Sequence, residues 1–166
     1  MNIKLLIRSM IRRDMAEVME IEYASFSEPW ASGSGMANPP ENSFVRYLRK
    51  RNCLALVAEH NNHVVGYMVF RLCSSRIEIL RFAVHPSFRR HKIGSCLIAN
   101  MQAKLSTRFR KWLVIYVDET LLPMQLLLRS CGLRATAVVN GAIRFVYGHI
   151  SETARTGIRK QTASNL

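Results

Sequence analysis

The stretch that decides the fold reads Phe82-Ala83-Val84-His85-Pro86-Ser87-Phe88-Arg89-Arg90-His91-Lys92-Ile93-Gly94-Ser95. Its apolar beginning is typical of a strand, which Pro86 ends because proline cannot donate to a sheet ladder. The apolar spacing that follows predicts a helix beginning near Arg89 or Arg90. The free N–H groups of residues 90–95 then face an anion, and Gly94 lets a phosphate approach the backbone. The stretch therefore predicts an anion site; the alternative is a solvated basic turn.

Strand-like and helix-like segments alternate on both sides of this stretch, which indicates an α/β (α+β) fold. The upstream pattern predicts a strand at 5–7, a helix capped by Asp14, a long loop at 27–42, a short helix at 44–48, and strands at 54–58, 64–70 and 77–84. The strands at 54–58 and 64–70 flank a hairpin turn at Asn61-Asn62. The downstream pattern predicts a strand at 112–117, a helix at 122–130, and strands at 133–139 and 142–150 joined by a hairpin turn at Asn140-Gly141. We expect one domain over residues 1–150 and a disordered polar tail at 151–166.

The composition agrees with a single folded domain. The chain has 166 residues, of which 49% are apolar and 21% charged, as in a globular protein with a core. Its four cysteines form no C-x-x-C pair, so no zinc, dithiol or other metal site is expected. The sequence has neither a signal-peptide pattern nor an apolar run long enough to span a bilayer. We therefore expect a cytoplasmic protein without a membrane partner.

The charge of the chain is strongly positive. Its 24 Lys and Arg residues exceed its 11 Asp and Glu residues, which gives a net charge of +13. Such a field favours anionic partners, among them a phosphorylated cofactor or nucleic acid. No helix-turn-helix, RNA-recognition or zinc-finger pattern is present, so nucleic acid is the less favoured partner.

The strand, turn and helix of the opening stretch resemble the GNAT superfamily of acetyl-CoA-dependent N-acetyltransferases. The matching residues are Val84-x-Pro86 and Arg89-x-x-Lys92-x-Gly94, with Lys92 standing where the family normally has glycine. The first helix and the loop after it resemble the RimI-like branch, which acetylates the N-terminal alanine of a ribosomal protein. The residues that carry this second resemblance are Ile21-Glu22, Phe26 and Pro29-Trp30.

The resemblance implies a fold and a cofactor. The fold is a mixed central sheet of about seven strands, splayed in the middle, with about four helices on its faces. The cofactor is acetyl-CoA, whose acetyl group and pantetheine arm lie along the splayed strand while its pyrophosphate lies in the turn. The residues implied for this role are Phe82, Ala83, Val84, Arg89, Arg90, His91, Lys92, Ile93, Gly94 and Ser95.

The catalytic positions implied by the resemblance match this chain less well. Tyr116 stands where the branch carries a general-base Glu, Leu121 where an Asn contacts the cofactor, and Leu128 where a Tyr protonates the departing thiolate. We expect Tyr116 to orient the amine or a water molecule, because a tyrosine with an ordinary pKa of about 10 is a poor base. A carboxylate then takes the proton through water, with Glu78 as the first candidate and Asp118 or Glu119 as alternatives; each of the three is otherwise a solvated surface group.

The acceptor site is predicted in the loop at 27–42, where Glu28 and Trp30 contact the substrate; a packing role is the alternative for Trp30. The function expected from the residues and the resemblance is acetyl transfer to a primary amine, favouring a protein N-terminus, without a covalent intermediate. Two alternatives remain: a GNAT-fold domain that binds CoA with little turnover, and a basic module that associates with ribosomes or nucleic acid. The identity of the acceptor and the oligomeric state stay open.

Overall fold

The structure, a computed structural model, describes residues 4–26, 41–105 and 109–148, with the backbone alone for 41–44. The strands are β1 (Leu6–Ser9), β2 (Cys53–His60), β3 (His63–Leu72), β4 (Arg76–Val84), β5 (Trp112–Asp118), β6 (Arg134–Val139) and β7 (Ala142–Gly148). The α-helices of the described residues are α1 (Met15–Phe26), α2 (Glu41–Leu48), α3 (Ile93–Ala103) and α4 (Leu122–Ser130). Most of the predicted loop at 27–42 and the whole predicted tail at 151–166 lie outside the described residues.

The strands form one mixed sheet in the order β1-β2-β3-β4-β5-β7-β6. Neighbouring strands from β1 to β4 are antiparallel, β4 and β5 are parallel, and β7 is antiparallel to both β5 and β6. A parallel pair needs a crossover connection, which α3 supplies between β4 and β5. The predicted mixed α/β fold with seven strands and four helices is confirmed for the described residues.

The sheet opens between β4 and β5. Their ladder ends where Ile79 lies opposite Ile115, although both strands continue beyond that pair. On its other side β4 stays paired to β3, with a register shift that leaves Leu80 as a bulge before Arg81. Because a bulge bends a strand and increases its twist, β4 diverges from β5 at this point. The splayed sheet that the resemblance implies is confirmed.

Each face of the sheet carries an apolar core. α3 and α4 cover one face, which we call the α3 face, and its fully buried side chains include Met68, Leu97, Ile115, Leu128 and Phe145. α1 covers the other face, which we call the α1 face, over Val18, Ile21, Val57, Tyr67, Val69 and Ala83. Each fully buried aliphatic side chain stabilises the fold by about 1.5–3 kcal/mol relative to exposure, so the two cores fix the helices against the sheet.

Both predicted hairpin turns are confirmed. Asn61 and Asn62 have φ angles of 49° and 63°, and Asn140 and Gly141 have φ angles of 49° and 77°. Two consecutive left-handed residues form the turn whose twist matches that of the strands it joins. Asparagine and glycine adopt this conformation more readily than other residues, so local sequence sets both turns.

The predicted cap of α1 is wrong. α1 begins directly after Asp14, but the Asp14 carboxylate accepts from the Ile11 N–H at 2.8 Å rather than from α1. It also accepts from Arg8 on β1 at 2.6 and 2.9 Å. The ion pair with Arg8 of the preceding strand and the hydrogen bond from Ile11 take up both carboxylate oxygens.

The predicted start of α3 near Arg89 or Arg90 is also wrong, since the helix begins at Ile93. The cause lies in the turn before it, where Arg90 and Lys92 have φ angles of 69° and 62°. A left-handed residue cannot continue a right-handed helix, so α3 starts only after Lys92.

Candidate functional site

The open edge of β4 presents backbone groups to the gap between β4 and β5. The His85 N–H donates to the Val65 carbonyl of β3 at 3.0 Å. Since neighbouring residues of a strand direct their backbone groups to opposite edges, the N–H and carbonyl of Val84 face the gap. The N–H and carbonyl of Phe82 also face the gap, because Phe82 lies two residues before Val84 in the same β3–β4 ladder. Of the three strand residues predicted to contact the cofactor, Phe82 and Val84 thus present backbone groups to the gap, whereas those of Ala83 belong to the β3 ladder.

The basic turn after β4 is held by its own hydrogen bonds. A single turn of 3-10 helix, Pro86–Phe88, follows the strand, and the His85 Nδ1 atom accepts from the Ser87 N–H at 3.2 Å. The Arg89 Nε–H donates to the Val84 carbonyl at 3.3 Å, which brings this guanidinium back to the end of the open edge. The His91 Nδ1 atom lies 2.9 Å from the Arg89 carbonyl. The turn is therefore ordered by contacts within itself.

Lys92 has a left-handed backbone conformation, which glycine adopts more readily than lysine does. Its φ angle of 62° lies in the left-handed region, and its carbonyl accepts the first hydrogen bond of α3, from the Cys96 N–H at 2.9 Å. The N–H groups of Ile93, Gly94 and Ser95 consequently have no acceptor within the helix, as at every helix N-terminus. The side chain of Lys92 is exposed and adds a cation beside these N–H groups.

Gly94 has a packing role at the start of α3. A Cβ atom at this position would lie 3.0 Å from Leu127 Cδ2 and 3.1 Å from Phe82 Cζ. Glycine therefore lets the helix N-terminus approach β4 and α4 closely, which aims the free N–H groups of α3 at the end of the open edge. The site combines an open strand edge, a helix N-terminus and the exposed cations Arg89, Arg90 and Lys92, a set that fits a long ligand with phosphate groups at one end.

Comparison with known proteins agrees with this geometry. The sequence profile of the acetyltransferase (GNAT) family matches residues 15–133, which include the open edge, the basic turn and α3. The chain belongs to the GNAT acetyltransferase family.

This GNAT chain is similar to a Bacillus subtilis protein in sequence and to several solved structures in fold. A Bacillus subtilis protein described as a putative [ribosomal protein bS18]-alanine N-acetyltransferase is 30% identical over 97 residues, which span 58% of this chain and 59% of that protein. The Escherichia coli ribosomal-protein-S18-alanine N-acetyltransferase has the same fold, with a TM-score of 0.69 and 16% identity over 87% of this chain and 93% of the other. The PaiA N-acetyltransferase of Thermoplasma acidophilum, solved with coenzyme A, has a TM-score of 0.70 and 15% identity over 88% and 99% of the two chains.

The predicted catalytic candidates share one face of the sheet. Tyr116 follows the last β4–β5 pair, is half-buried, and lies opposite Arg144 of β7. Glu78 lies opposite Val114, two residues before Tyr116, so alternation places Glu78 and Tyr116 on the α1 face. Glu78 is buried and accepts from the Arg71 guanidinium at 2.7 Å. The structure thus brings the two candidates to one face but holds Glu78 in an ion pair at the closed end of the gap.

The other predicted positions fall in different surroundings. Asp118 accepts from the Thr120 N–H at 2.8 Å and from its hydroxyl at 2.6 Å, which forms the turn between β5 and α4. The neighbouring Glu119 is exposed at that turn. Leu128 is fully buried in the core of the α3 face. Glu28 and Trp30, the predicted acceptor contacts, lie outside the described residues.

Sequence reasoning missed the buried ion pair between Glu22 of α1 and Arg81 of β4. Both Arg81 Nε and Arg81 Nη2 donate to the Glu22 carboxylate, the second at 2.9 Å. One signal for it was present in the sequence, since Arg81 interrupts the otherwise apolar strand segment Ile79-Leu80-Arg81-Phe82. A charge in a central strand requires a buried partner.

Among the described residues, no cluster of side chains is suited to hold a metal ion. No helix in the described part of the chain is both long and apolar enough to cross a membrane.

Proposed function

We propose that this chain transfers an acetyl group from acetyl-CoA to a primary amine by direct transfer in a ternary complex, with a protein N-terminus as the favoured acceptor. The observation that carries the proposal is the joining of an open strand edge to a basic turn and a helix N-terminus. Val84 and Phe82 offer backbone groups along the gap, and the turn at its end concentrates amides and cations. This arrangement matches acetyl-CoA, which has an amide-containing arm and a pyrophosphate.

Each part of the site has a proposed task. The open edge holds the pantetheine arm and the acetyl group, and the Val84 N–H polarises the thioester carbonyl as an oxyanion-hole donor does. Residues 89–95 hold the pyrophosphate through the free N–H groups of α3 and the cations of the turn. Bound acetyl-CoA supplies a thioester that is activated for attack, so the protein's own contribution is to orient the amine and remove its proton.

An α-amino acceptor needs little help from the enzyme to lose its proton. An α-amino group has a pKa of about 7.7–8.0, so part of it is neutral near pH 7 without a strong base. Tyr116 is placed to orient the amine or a water molecule on the α1 face of the gap. Glu78, which accepts a hydrogen bond from Arg71, takes the proton through water. The name of the Bacillus subtilis relative supports an N-terminal alanine as the acceptor.

We further propose that the protein works in the cytoplasm. All four cysteines are unpaired in the structure, which is typical of proteins in a reducing compartment. Acetyl-CoA and newly made protein N-termini are both available there.

A second candidate function is CoA binding with little turnover. Leu128 is buried where the resemblance places a proton-donating tyrosine, and Glu78 is held in an ion pair. Leu128 cannot donate a proton, and the Glu78 carboxylate is already bonded to Arg71. Efficient acid-base catalysis is therefore not favoured at either position.

Thiol release from acetyl-CoA separates the two functions. We would measure it with a peptide that has a free N-terminal alanine, with the same peptide acetylated at its N-terminus, and with one that carries only a lysine amine. The proposal expects turnover with the free alanine and none with the blocked peptide, and a clear loss of rate in Tyr116→Phe. Acetyl-CoA binding without turnover on any peptide would instead support the second candidate, and a Tyr116→Phe rate within about twofold of wild type would remove Tyr116 from the mechanism.

A further inference from the structure

Arg81 and Glu22 are the members of an ion pair buried between β4 and α1. Their side chains are 5% and 7% exposed. The guanidinium makes two parallel contacts with the carboxylate, a geometry that fixes orientation as well as distance. The pair therefore defines the position of Arg81 relative to α1 more strictly than apolar packing does.

Apolar and aromatic groups enclose this pair. The Phe26 ring centroid lies 4.6 Å from the Arg81 guanidinium carbon, a cation–π contact on the α1 side. Burial and then the charge of Glu22 raise the pKa of Tyr67 well above its usual range, so this neighbour stays neutral. Burial lowers the pKa of Arg81, but the hydrogen bond and charge of Glu22 outweigh it, and Arg81 remains a cation.

Stability alone does not account for such a pair. Transfer of two charges out of water is costly, and apolar side chains of similar volume stabilise a core equally well or better. A role outside stability is suggested by where the pair lies in β4.

The pair sits at the point where the sheet opens. Ile79 is the last β4 residue paired to β5, Leu80 is the bulge, and Arg81 is the first residue after the bulge. Phe82 and Val84, which follow it, carry the backbone groups that face the gap. Glu22 thus anchors the diverging segment of β4 to α1 at its first residue.

We propose that the Glu22–Arg81 pair is a positioning device that holds segment 81–84 of β4 apart from β5 and so sets where the pantetheine arm and acetyl group lie. This inference rests on the proposed function, because it concerns the same cosubstrate. Neither residue touches the reacting atoms; both act through the backbone of β4.

The test replaces the pair by apolar side chains, Glu22→Leu with Arg81→Met. A control is the ion pair between Arg8 of β1 and Asp14, replaced as Arg8→Met with Asp14→Leu; it lies away from the gap, and its replacement also removes the contact of Arg8 with Glu59. For wild type and both double variants we would measure the thermal midpoint, the Kd of acetyl-CoA, the Kd of 3′-phosphoadenosine 5′-diphosphate, and kcat with KM for the alanine peptide. The nucleotide lacks the pantetheine arm and reports on the basic turn alone.

The inference expects the Glu22/Arg81 variant to fold, to bind the nucleotide as wild type does, and to lose acetyl-CoA affinity and kcat by about tenfold or more. The KM for the peptide should change less than kcat. The Arg8/Asp14 variant should keep the wild-type Kd and kcat whatever its thermal midpoint. A folded Glu22/Arg81 variant with wild-type acetyl-CoA affinity and kcat would show that the pair is structural only.

Two further results are decisive. Should the double variant fail to fold, Glu22→Gln retains the shape and one acceptor, and an unchanged acetyl-CoA Kd in that variant would overturn the inference. Wild type that binds acetyl-CoA without any turnover would end the proposed function, while the comparison of Kd values still decides the positioning role. Wild type that binds no acetyl-CoA would overturn both.

Discussion

Ile79 pairs with Ile115, and no residue of β4 beyond Ile79 pairs with β5. This pair marks the boundary between the part of the sheet where β4 and β5 are hydrogen-bonded and the part where a gap separates them. On the closed side, Glu78 is fixed by Arg71. On the open side, β4 continues to Val84 with a backbone edge that no strand of the described residues pairs, and it leads directly into the basic turn. The site is therefore a consequence of where the ladder stops.

Gly94→Ala is expected to lower the free energy of unfolding by about 1–3 kcal/mol through overpacking. The added Cβ would meet Phe82 and Leu127 at 3.1 and 3.0 Å. Urea denaturation measures the effect, and Cys96→Ala, at an exposed position of the same helix, is the control, with a change below about 0.5 kcal/mol. An alanine variant as stable as wild type would mean that both neighbours yield without cost.

Lys92→Gly is expected to raise the free energy of unfolding by about 0.5–1 kcal/mol. A left-handed non-glycine residue costs about 1–2 kcal/mol, and the added freedom of glycine in the unfolded chain offsets part of the gain. Lys92→Ala is the matched control, because it removes the charge but keeps the β-carbon. If alanine stabilises as much as glycine, relief of charge repulsion is the cause and backbone strain is not.

The stability of the fold is expected to fall at acid pH through Asp14. Hydrogen bonds from Arg8 hold the pKa of this buried carboxyl below its ordinary value of 3.8. A carboxyl with a lower pKa in the folded state stabilises the fold fully above its unfolded pKa, and this contribution is lost as pH falls through the folded pKa. The stability gap between wild type and Asp14→Asn should therefore shrink between about pH 5 and pH 2. The exposed Glu119→Gln serves as control, and a gap that does not change with pH would contradict this role of Asp14.

Leu128→Tyr is expected to lower the free energy of unfolding by about 1–3 kcal/mol without a gain in turnover. The resemblance places a tyrosine here, but Leu128 is fully buried in the core of the α3 face, where a phenol is larger than the space that the leucine fills. Leu126→Tyr, on the same helix at 56% exposure, should be neutral. Increased thiol release by a folded Leu128→Tyr protein would show that α4 can present this side chain to the site.

The parts of the fold that local sequence controls could be predicted, and the parts that long-range pairing controls could not. Asn61-Asn62 and Asn140-Gly141 form the predicted turns because their own conformational preferences suffice. The role of Asp14 depends on its ion pair with Arg8 of β1, and the start of α3 depends on the left-handed conformation of Lys92; both are side-chain or backbone choices that apolar spacing does not report. The anchor of the open edge, Glu22 with Arg81, joins residues 59 positions apart, so the charge of Arg81 in an apolar strand indicates a buried partner without identifying it.

The most direct test of the central claim is the thermal midpoint of the protein with and without saturating acetyl-CoA, with CoA and ATP for comparison. A ligand at about 100 times its Kd stabilises the folded state by about 2.7 kcal/mol, which raises the midpoint of a chain of this size by roughly 5–10 °C. The open edge and basic turn predict this rise for acetyl-CoA and CoA and little or none for ATP, which lacks the pantetheine arm. No rise with acetyl-CoA, or an equal rise with ATP, would contradict the assignment of the gap between β4 and β5 as the acetyl-CoA site.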